Sequence, residues 1–171
     1  MDNITLIGMP GSGKSTVGVL LAKAIGYDFL DVDLLIQQQQ GALLQDVLDR
    51  LGVEAFLDLE ADTVRSLSCT HTVIAPGGSA VCRETAARRL CALGTVVYLD
   101  VPLPELEQRI HNLDCRGIAM EPGQTLADLM VLRAPLYSKY ADLVIPCPPG
   151  QSLDQTAQLV RARLSEAGLL T

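Results

Sequence analysis

Short apolar runs alternate with helical patterns along this chain. Five runs have the length of strands, and several of them are nearly continuous in apolar residues: 4–7, 27–31, 72–75, 95–100 and 143–145. Strands that alternate with helices form a parallel sheet with helices on both faces, and ligands bind at the carboxyl ends of its strands. The pattern and the length of 171 residues predict a single α/β domain over residues 1–171 with a five-stranded parallel sheet.

The intervening segments have the apolar spacing of amphipathic helices. The first helix is predicted after Ser15, with Val17, Leu20 and Leu21 on one face and Gly26 as its end. Others are predicted to begin near residues 33, 44 and 56, to run from the 76–79 turn through Leu90, and to begin near residues 104, 125 and 152. The stretch from 112 to 124 has no sustained periodicity, which favours a lid-like loop.

The strongest motif lies between the first strand and the first helix. Residues 8–15 read Gly-Met-Pro-Gly-Ser-Gly-Lys-Ser, which matches GxxxxGK[ST] in the strand–loop–helix context that a phosphate-binding loop requires. Backbone N–H groups and the helix N-terminus would hold phosphate oxygens, Lys14 would bridge the β- and γ-phosphates, and Ser15 would hold Mg²⁺. A chance glycine turn is the alternative. We predict binding of ATP with Mg²⁺ by Gly11, Ser12, Gly13, Lys14, Ser15 and Thr16.

Composition narrows the class of protein. The net charge of −7 argues against a nucleic-acid surface, and no apolar run has the length of a membrane span. No signal peptide precedes the first strand, and the five cysteines form no CxxC pair, so we expect reduced thiols in a cytoplasmic protein. No motif needs a second chain, so a monomer that binds a small-molecule acceptor is expected, without nucleic-acid or membrane partners.

Two aspartates follow the second strand. Strand alternation would place Asp31 and Asp33 on the same side, facing the phosphate loop. Phosphoryl transfer needs one carboxylate near Mg²⁺ and another that accepts the proton of the acceptor hydroxyl, and we assign these roles to Asp31 and Asp33 respectively. In the alternative interpretation, Asp33 caps the next helix and Asp31 is solvated.

Four further features are candidate site residues, and each also has a purely structural interpretation. Gly77 and Gly78 allow close approach of a substrate or merely a turn, and Arg116 in the lid would stabilise the transferring phosphoryl group or be a solvated loop residue. Arg109 would stack on adenine or be a surface charge. Arg133 would bind a substrate carboxylate or form a surface salt bridge.

These motifs together resemble the shikimate kinase family. The resemblance covers the phosphate loop, Asp31-x-Asp33, Gly77-Gly78 and Arg133-x-Pro135-x-Tyr137, in the family's order over nearly the whole chain. It implies a three-layer P-loop kinase fold with a lid at about 112–124 and a small helical substrate-binding subdomain at about 33–61. It also implies transfer of the ATP γ-phosphate to the 3-hydroxyl of shikimate, in aromatic amino acid biosynthesis.

The resemblance assigns residue roles in the same way. Lys14, Asp33 and Arg116 would be catalytic, Ser15 and Asp31 would serve the metal, and Arg109 and Pro149 would enclose adenine. The acceptor would contact Asp33, Gly77, Gly78 and Arg133.

Three departures from the family pattern concern the acceptor side. Leu57 stands where the family has an arginine that grips the substrate carboxylate, Ser79 replaces the third glycine, and the lid reads Arg116-Gly117-Ile118-Ala119 instead of arginine-proline-leucine-leucine. A charge-assisted hydrogen bond is worth about 1.5–3 kcal/mol, so losing the arginine should weaken the binding of a substrate carboxylate by about this amount. Either Arg133 alone holds shikimate, or another cation such as Arg83 substitutes, or the acceptor is another small hydroxylated carboxylate such as homoserine. A catalytically inactive nucleotide-binding regulator is the remaining alternative.

Overall fold

The computed structural model describes residues 3–111 and 117–170. Its sheet has five parallel strands in the order β2-β3-β1-β4-β5: β1 Asn3–Ile7, β2 Asp28–Asp31, β3 Thr72–Ala75, β4 Gly94–Asp100 and β5 Leu143–Pro146. Every residue of β1 and β3 is buried, although successive side chains point to opposite faces, so both faces of the sheet centre are covered. The prediction of a five-stranded parallel sheet is confirmed.

The helices lie between the strands, as the apolar spacing predicts. They are α1 Lys14–Ile25, α2 Val32–Gln40, α3 Leu44–Leu51, α4 Val53–Arg65, α5 Glu84–Leu93, α6 Leu103–His111, α7 Leu126–Tyr140 and α8 Leu153–Glu166. Capping boxes at Thr125 and Ser152 fix the starts of α7 and α8, because each side chain accepts a hydrogen bond from the backbone three residues later. The predicted helix after Ser79 is instead a 3₁₀ turn, Ala80–Cys82, followed by α5, because the chain is extended at Arg83.

The strand order positions three loops side by side. β3 lies between β1 and β2, so the carboxyl ends of these strands deliver residues 8–13, Asp31 and residues 76–79 to one edge of the sheet. Helices α2, α3 and α4 follow β2 and pack against one another beside that edge. The edge and these helices enclose the candidate site.

Two further observations, on membrane-spanning helices and on cysteines, apply to the described part of the chain alone. None of its helices has the length and apolar character needed to cross a bilayer. Cys69, Cys82, Cys91 and Cys147 are free thiols.

Candidate active site

The phosphate loop has the backbone shape that its sequence predicts. Gly13 precedes α1 with φ of 90°, a left-handed conformation that favours glycine, and a Cβ there would come within 3 Å of the Leu153 side chain. Its carbonyl accepts the first hydrogen bond of the helix from the N–H of Val17, at 2.8 Å. The N–H groups at the start of α1 have no partner within the helix, so they are available to an anion.

Lys14 is buried beneath this loop. Its Nζ donates hydrogen bonds of 2.9 Å to the carbonyl oxygens of Gly8 and Met9. Burial lowers the pKa of Lys14 to about 8, although the Asp33 carboxylate opposes this shift. The ammonium group is therefore held at the loop by backbone oxygens and faces the same cavity as Asp33.

Ser15 and Asp31 form an oxygen pair at the mouth of the loop. The Ser15 hydroxyl donates a 2.7 Å hydrogen bond to Oδ2 of Asp31, whose Oδ1 accepts the Leu34 N–H at 3.1 Å. Asp31 is thus the N-cap of α2, and the interpretation in which Asp33 caps this helix is wrong. The predicted strand alternation is also wrong, because the chain enters α2 at Val32 and places Asp33 in its first turn.

The oxygen pair fits a magnesium ion that is shared with phosphates. Mg²⁺ prefers oxygen ligands and commonly binds proteins through one or two side chains, with waters and phosphate oxygens completing the shell. No cluster of three or more His, Cys, Asp or Glu side chains suited to a metal occurs within residues 3–111 and 117–170. The donors present therefore suit Mg²⁺ that arrives with a nucleotide.

A cavity of about 270 Å³ joins the phosphate loop to the acceptor side. Most of the predicted site residues line it: Gly11, Gly13, Lys14, Ser15, Thr16, Asp33, Gly77, Gly78 and Arg133. Ser12 is buried behind the loop, with its hydroxyl 3.4 Å from Lys14 Nζ. The structure therefore brings residues from both halves of the predicted site to one cavity.

Asp33 presents an unpaired carboxylate oxygen to this cavity. Its Oδ1 is buried and has no hydrogen-bond partner among residues 3–111 and 117–170. Burial raises the pKa of Asp33 to about 6, with a further contribution from the nearby Asp31 and opposition from Lys14. A carboxylate with this environment is suited to accept a proton.

Glu60 is a second acidic residue of the cavity, and the sequence analysis assigned it no role. It is 1% exposed, and Oε1 accepts a 2.6 Å hydrogen bond from the Ser79 hydroxyl. Oε2 has no hydrogen-bond partner in the part of the chain that the structure describes. Burial raises the pKa of Glu60 to about 7, while the hydrogen bond from Ser79 opposes the shift. The available signal was its position one helical turn after the apolar Phe56, on a face of α4 that points inward.

Gly77 has no room for a side chain. A Cβ there would lie within 3 Å of both Oε2 of Glu60 and Oδ1 of Asp33. The next glycine, Gly78, is fixed by the fully buried Tyr137, whose hydroxyl donates a 2.6 Å hydrogen bond to its carbonyl oxygen. Close approach, rather than a positive φ, explains the glycine at position 77.

Arg133 is the buried guanidinium on the acceptor side. It is 4% exposed, so the predicted alternative of a surface salt bridge is wrong, and it donates a 2.8 Å hydrogen bond to the carbonyl oxygen of Ala119. The N–H of Gly117 donates to Oε1 of Gln45 on α3 at 2.8 Å. These two bonds hold residues 117–119 of the predicted lid against the cavity.

Leu57 and Arg83 do not line the cavity. Leu57 is 7% exposed and packs in the hydrophobic core. Arg83 pairs with Glu54 at 2.6 Å and with Asp58 at 2.9 Å on the exposed side of α4, so these carboxylates already occupy its guanidinium. Arg133 is therefore the arginine that the described residues offer to an acceptor in this cavity.

The predicted adenine contacts lie at a second, open pocket. Arg109 lines it together with Thr16 and Gln151, and donates to the Gly11 carbonyl oxygen at 3.2 Å. Pro149 is exposed and does not line this pocket. The predicted lid arginine, Arg116, lies outside the described residues.

Known proteins are similar to this chain in both sequence and fold. The family model described as shikimate kinase matches residues 10–162. The shikimate kinase of Paracidovorax citrulli is 37% identical over 98% of this chain and 94% of that protein. The structure of Acinetobacter baumannii shikimate kinase in complex with shikimate is similar with a TM-score of 0.86 and 31% identity, over 97% of this chain and 94% of that one.

The Aquifex aeolicus shikimate kinase structure is also similar, with a TM-score of 0.81 and 28% identity over 98% of both chains. The match to the family model includes residues 10–15 of the phosphate loop, Asp33 and Arg133, which all contribute to the cavity. On the sequence match and the shared fold, the chain belongs to the shikimate kinase family.

Proposed function

We propose that this protein transfers the γ-phosphoryl group of ATP to a hydroxyl group of shikimate, the 3-hydroxyl by analogy with its family. One observation carries the proposal: Lys14 of the phosphate loop, Asp33 and Arg133 line a single cavity. A phosphate-binding cation, a proton acceptor and a carboxylate-binding guanidinium thus lie where a donor and an acceptor can meet. Family membership supports shikimate as that acceptor.

The loop would bind the donor. Amide groups at the start of α1 would hold phosphate oxygens, and Lys14 would leave its backbone partners to contact the β- and γ-phosphates. Ser15 and Asp31 would hold Mg²⁺, which when bound neutralises charge on the phosphates. Arg109 borders the pocket in which adenine would lie, and Pro149 would reach it from the turn before α8.

Asp33 would act on the acceptor hydroxyl. Its unpaired Oδ1 would accept the hydroxyl hydrogen bond and take the proton as the oxygen attacks the γ-phosphorus. The new bond joins the acceptor oxygen to this phosphorus, the bond to the β,γ-bridging oxygen breaks, and ADP leaves. Arg133 would bind the acceptor carboxylate, and the backbone at Gly77 and Gly78 would orient its ring.

The remaining elements complete the proposal. Arg116 would approach the transferring phosphoryl group when the 112–124 lid closes, and the 33–61 helices would shape the acceptor side. The motifs of the proposed site need no second chain, so we propose a monomer. ATP as the phosphoryl donor supports a cytoplasmic location.

A coupled ADP-release assay tests the proposal. Purified protein with MgATP should show saturable turnover that depends on shikimate. An assay that gives no shikimate-dependent ADP, with ATP binding intact by calorimetry, would contradict it.

A further inference from the structure

Two departures from the family pattern meet at one side chain. Leu57 stands in place of the family arginine, and Ser79 stands in place of the third glycine. Glu60 lies three residues after Leu57 on α4 and accepts the hydrogen bond from Ser79. Opposite charges pair at this helical spacing, so an arginine at position 57 could neutralise Glu60, whereas leucine cannot. The acceptor side of this chain therefore keeps a carboxylate without that cation.

Arg133 and Lys14 act on the Glu60 carboxylate electrostatically, but neither forms an ion pair with it in the described part of the chain. Among the described residues, no lysine, arginine or histidine lies within 4.0 Å of its carboxylate oxygens. Arg83, the nearby alternative, is paired with Glu54 and Asp58. A buried carboxylate is costly unless it is paired and fully hydrogen-bonded, yet Oε2 of Glu60 has no partner. Glu60 is one of the residues that line the cavity, so a bound ligand would lie beside this buried oxygen.

Two carboxylates on the acceptor side each have a buried oxygen without a hydrogen-bond partner among the described residues. Oε2 of Glu60 and Oδ1 of Asp33 lie within 3 Å of one point above Gly77, and both lack partners. Arg133 is the guanidinium that faces them, while Lys14 is held at the phosphate loop. A ligand with a hydroxyl and a carboxylate would satisfy Asp33 and Arg133. It would leave Oε2 of Glu60 without a direct partner.

We infer that this cavity takes, in addition to the proposed shikimate, a small hydroxy acid that carries a primary ammonium group, with the ammonium paired to Glu60. This inference rests on the proposed function, because the same site would phosphorylate the hydroxyl. The cavity of about 270 Å³ has room for a small acceptor beside the phosphate loop.

The bonds formed and broken would be the same as in the reaction with shikimate. The hydroxyl oxygen forms a bond to the γ-phosphorus of ATP, and its proton passes to Asp33. The bond between that phosphorus and the β,γ-bridging oxygen breaks and ADP leaves. The ammonium takes no part in bond making; it holds the acceptor through Glu60 while Arg133 holds the carboxylate.

A matched pair of acceptors tests this inference. L-homoserine and 4-hydroxybutyrate share a terminal hydroxyl and a carboxylate, but only the first carries an ammonium group. With wild-type protein and MgATP, kcat/KM for homoserine should exceed that for 4-hydroxybutyrate by about tenfold or more, the typical effect of one charge-assisted hydrogen bond. The ratio should fall towards one in Glu60→Gln. It should fall as well in Leu57→Arg, where the new guanidinium competes for Glu60.

Glu107→Gln on the exposed side of α6 is the control and should keep the wild-type ratio. A ratio near one in wild type, or a preference that survives both Glu60→Gln and Leu57→Arg, would overturn the inference. Shikimate turnover without ammonium preference would overturn it and leave the proposed function standing. Turnover of homoserine alone would overturn shikimate as the acceptor and retain the Glu60 pairing.

If neither acceptor is phosphorylated, a binding measurement tests the inference. Calorimetric titration of the ADP-saturated protein should then show tighter binding of homoserine than of 4-hydroxybutyrate. Equal or absent binding of the two would overturn the inference. Circular dichroism of Glu60→Gln and Leu57→Arg verifies that each variant is folded.

Discussion

The carboxylates of Asp33 and Glu60 meet at Gly77, where an unpaired oxygen of each lies within 3 Å of the space that a Cβ would fill. Burial raises the pKa of Asp33 from 3.8 to about 6 and that of Glu60 from 4.5 to about 7. The folded protein thus binds protons that the unfolded chain has already released. This relationship links the acceptor site to the stability of the ligand-free protein.

The free energy of unfolding should fall as the pH rises from about 4 to about 7. In this window the folded state holds more protons than the unfolded state, because the folded pKa values are raised, so deprotonation favours unfolding. Glu60→Gln should be more stable than wild type at pH 8 by about 1–3 kcal/mol. Urea unfolding at pH 5 and pH 8 measures this. Glu107→Gln should match wild type, and equal pH dependence in wild type and Glu60→Gln would contradict the account.

Asp33→Asn should strongly slow phosphoryl transfer and leave ATP binding nearly intact. The amide cannot accept the hydroxyl proton, so kcat should fall by about 10²–10⁴, the usual contribution of a general base. Steady-state kinetics and ATP calorimetry separate the two effects. Asp28→Asn, at the exposed opposite end of β2, should behave as wild type. An equal loss of ATP binding and turnover in Asp33→Asn would rule out the base assignment.

Lys14→Met should reduce kcat/KM for ATP by about 10²–10³, the size of effect seen when one preorganised charge donor is removed. The buried ammonium would be lost from the loop, whereas the amide groups of α1 would remain. ADP release at varied ATP measures the change. Lys23→Met, exposed in the last turn of the same helix, is the control. Less than a threefold change in Lys14→Met would show that Lys14 is not the phosphate-binding cation.

Arg133→Lys should raise KM for shikimate by about tenfold and change KM for ATP little. Lysine keeps the charge but not the planar pair of donors that matches a carboxylate. Kinetics with each substrate varied in turn distinguish the two constants. Arg88→Lys on the exposed face of α5 serves as the comparison. If KM for ATP rose and KM for shikimate did not, Arg133 would belong to the donor side.

Gln45→Ala should weaken the attachment of the lid. The Gly117 N–H would lose its 2.8 Å hydrogen bond to Oε1, worth about 1 kcal/mol. The Gly117 amide should then exchange its hydrogen faster, and kcat/KM for shikimate should fall a few-fold. Gln39→Ala, at an exposed position of α2, is the matched control variant. Unchanged exchange at Gly117 would mean that Gln45 does not hold this segment.

The sequence predicted the sheet well because buried parallel strands are nearly continuous apolar runs, as in Thr72–Ala75. The start of α2 was displaced by one residue, because Asp31 ends its strand and caps the helix at once. Pattern alone could not distinguish the capping aspartate from the one that faces the cavity.

The phosphate half of the site could be placed from the sequence because its residues are contiguous. Glu60 could not, because it reaches the cavity only through the packing of α4 against residues 76–79. The same packing explains why the sequence could not show whether Arg83 is able to bind a substrate carboxylate. Its partners on α4 become visible only in three dimensions.

The most direct test of the central claim is the identity of the product. Wild-type protein, MgATP and shikimate should be incubated to completion and examined by ³¹P NMR and mass spectrometry. We expect a phosphomonoester of shikimate in equal amount to ADP. Free orthophosphate equal to ADP, with shikimate unchanged, would contradict phosphoryl transfer to shikimate and leave only hydrolysis of ATP.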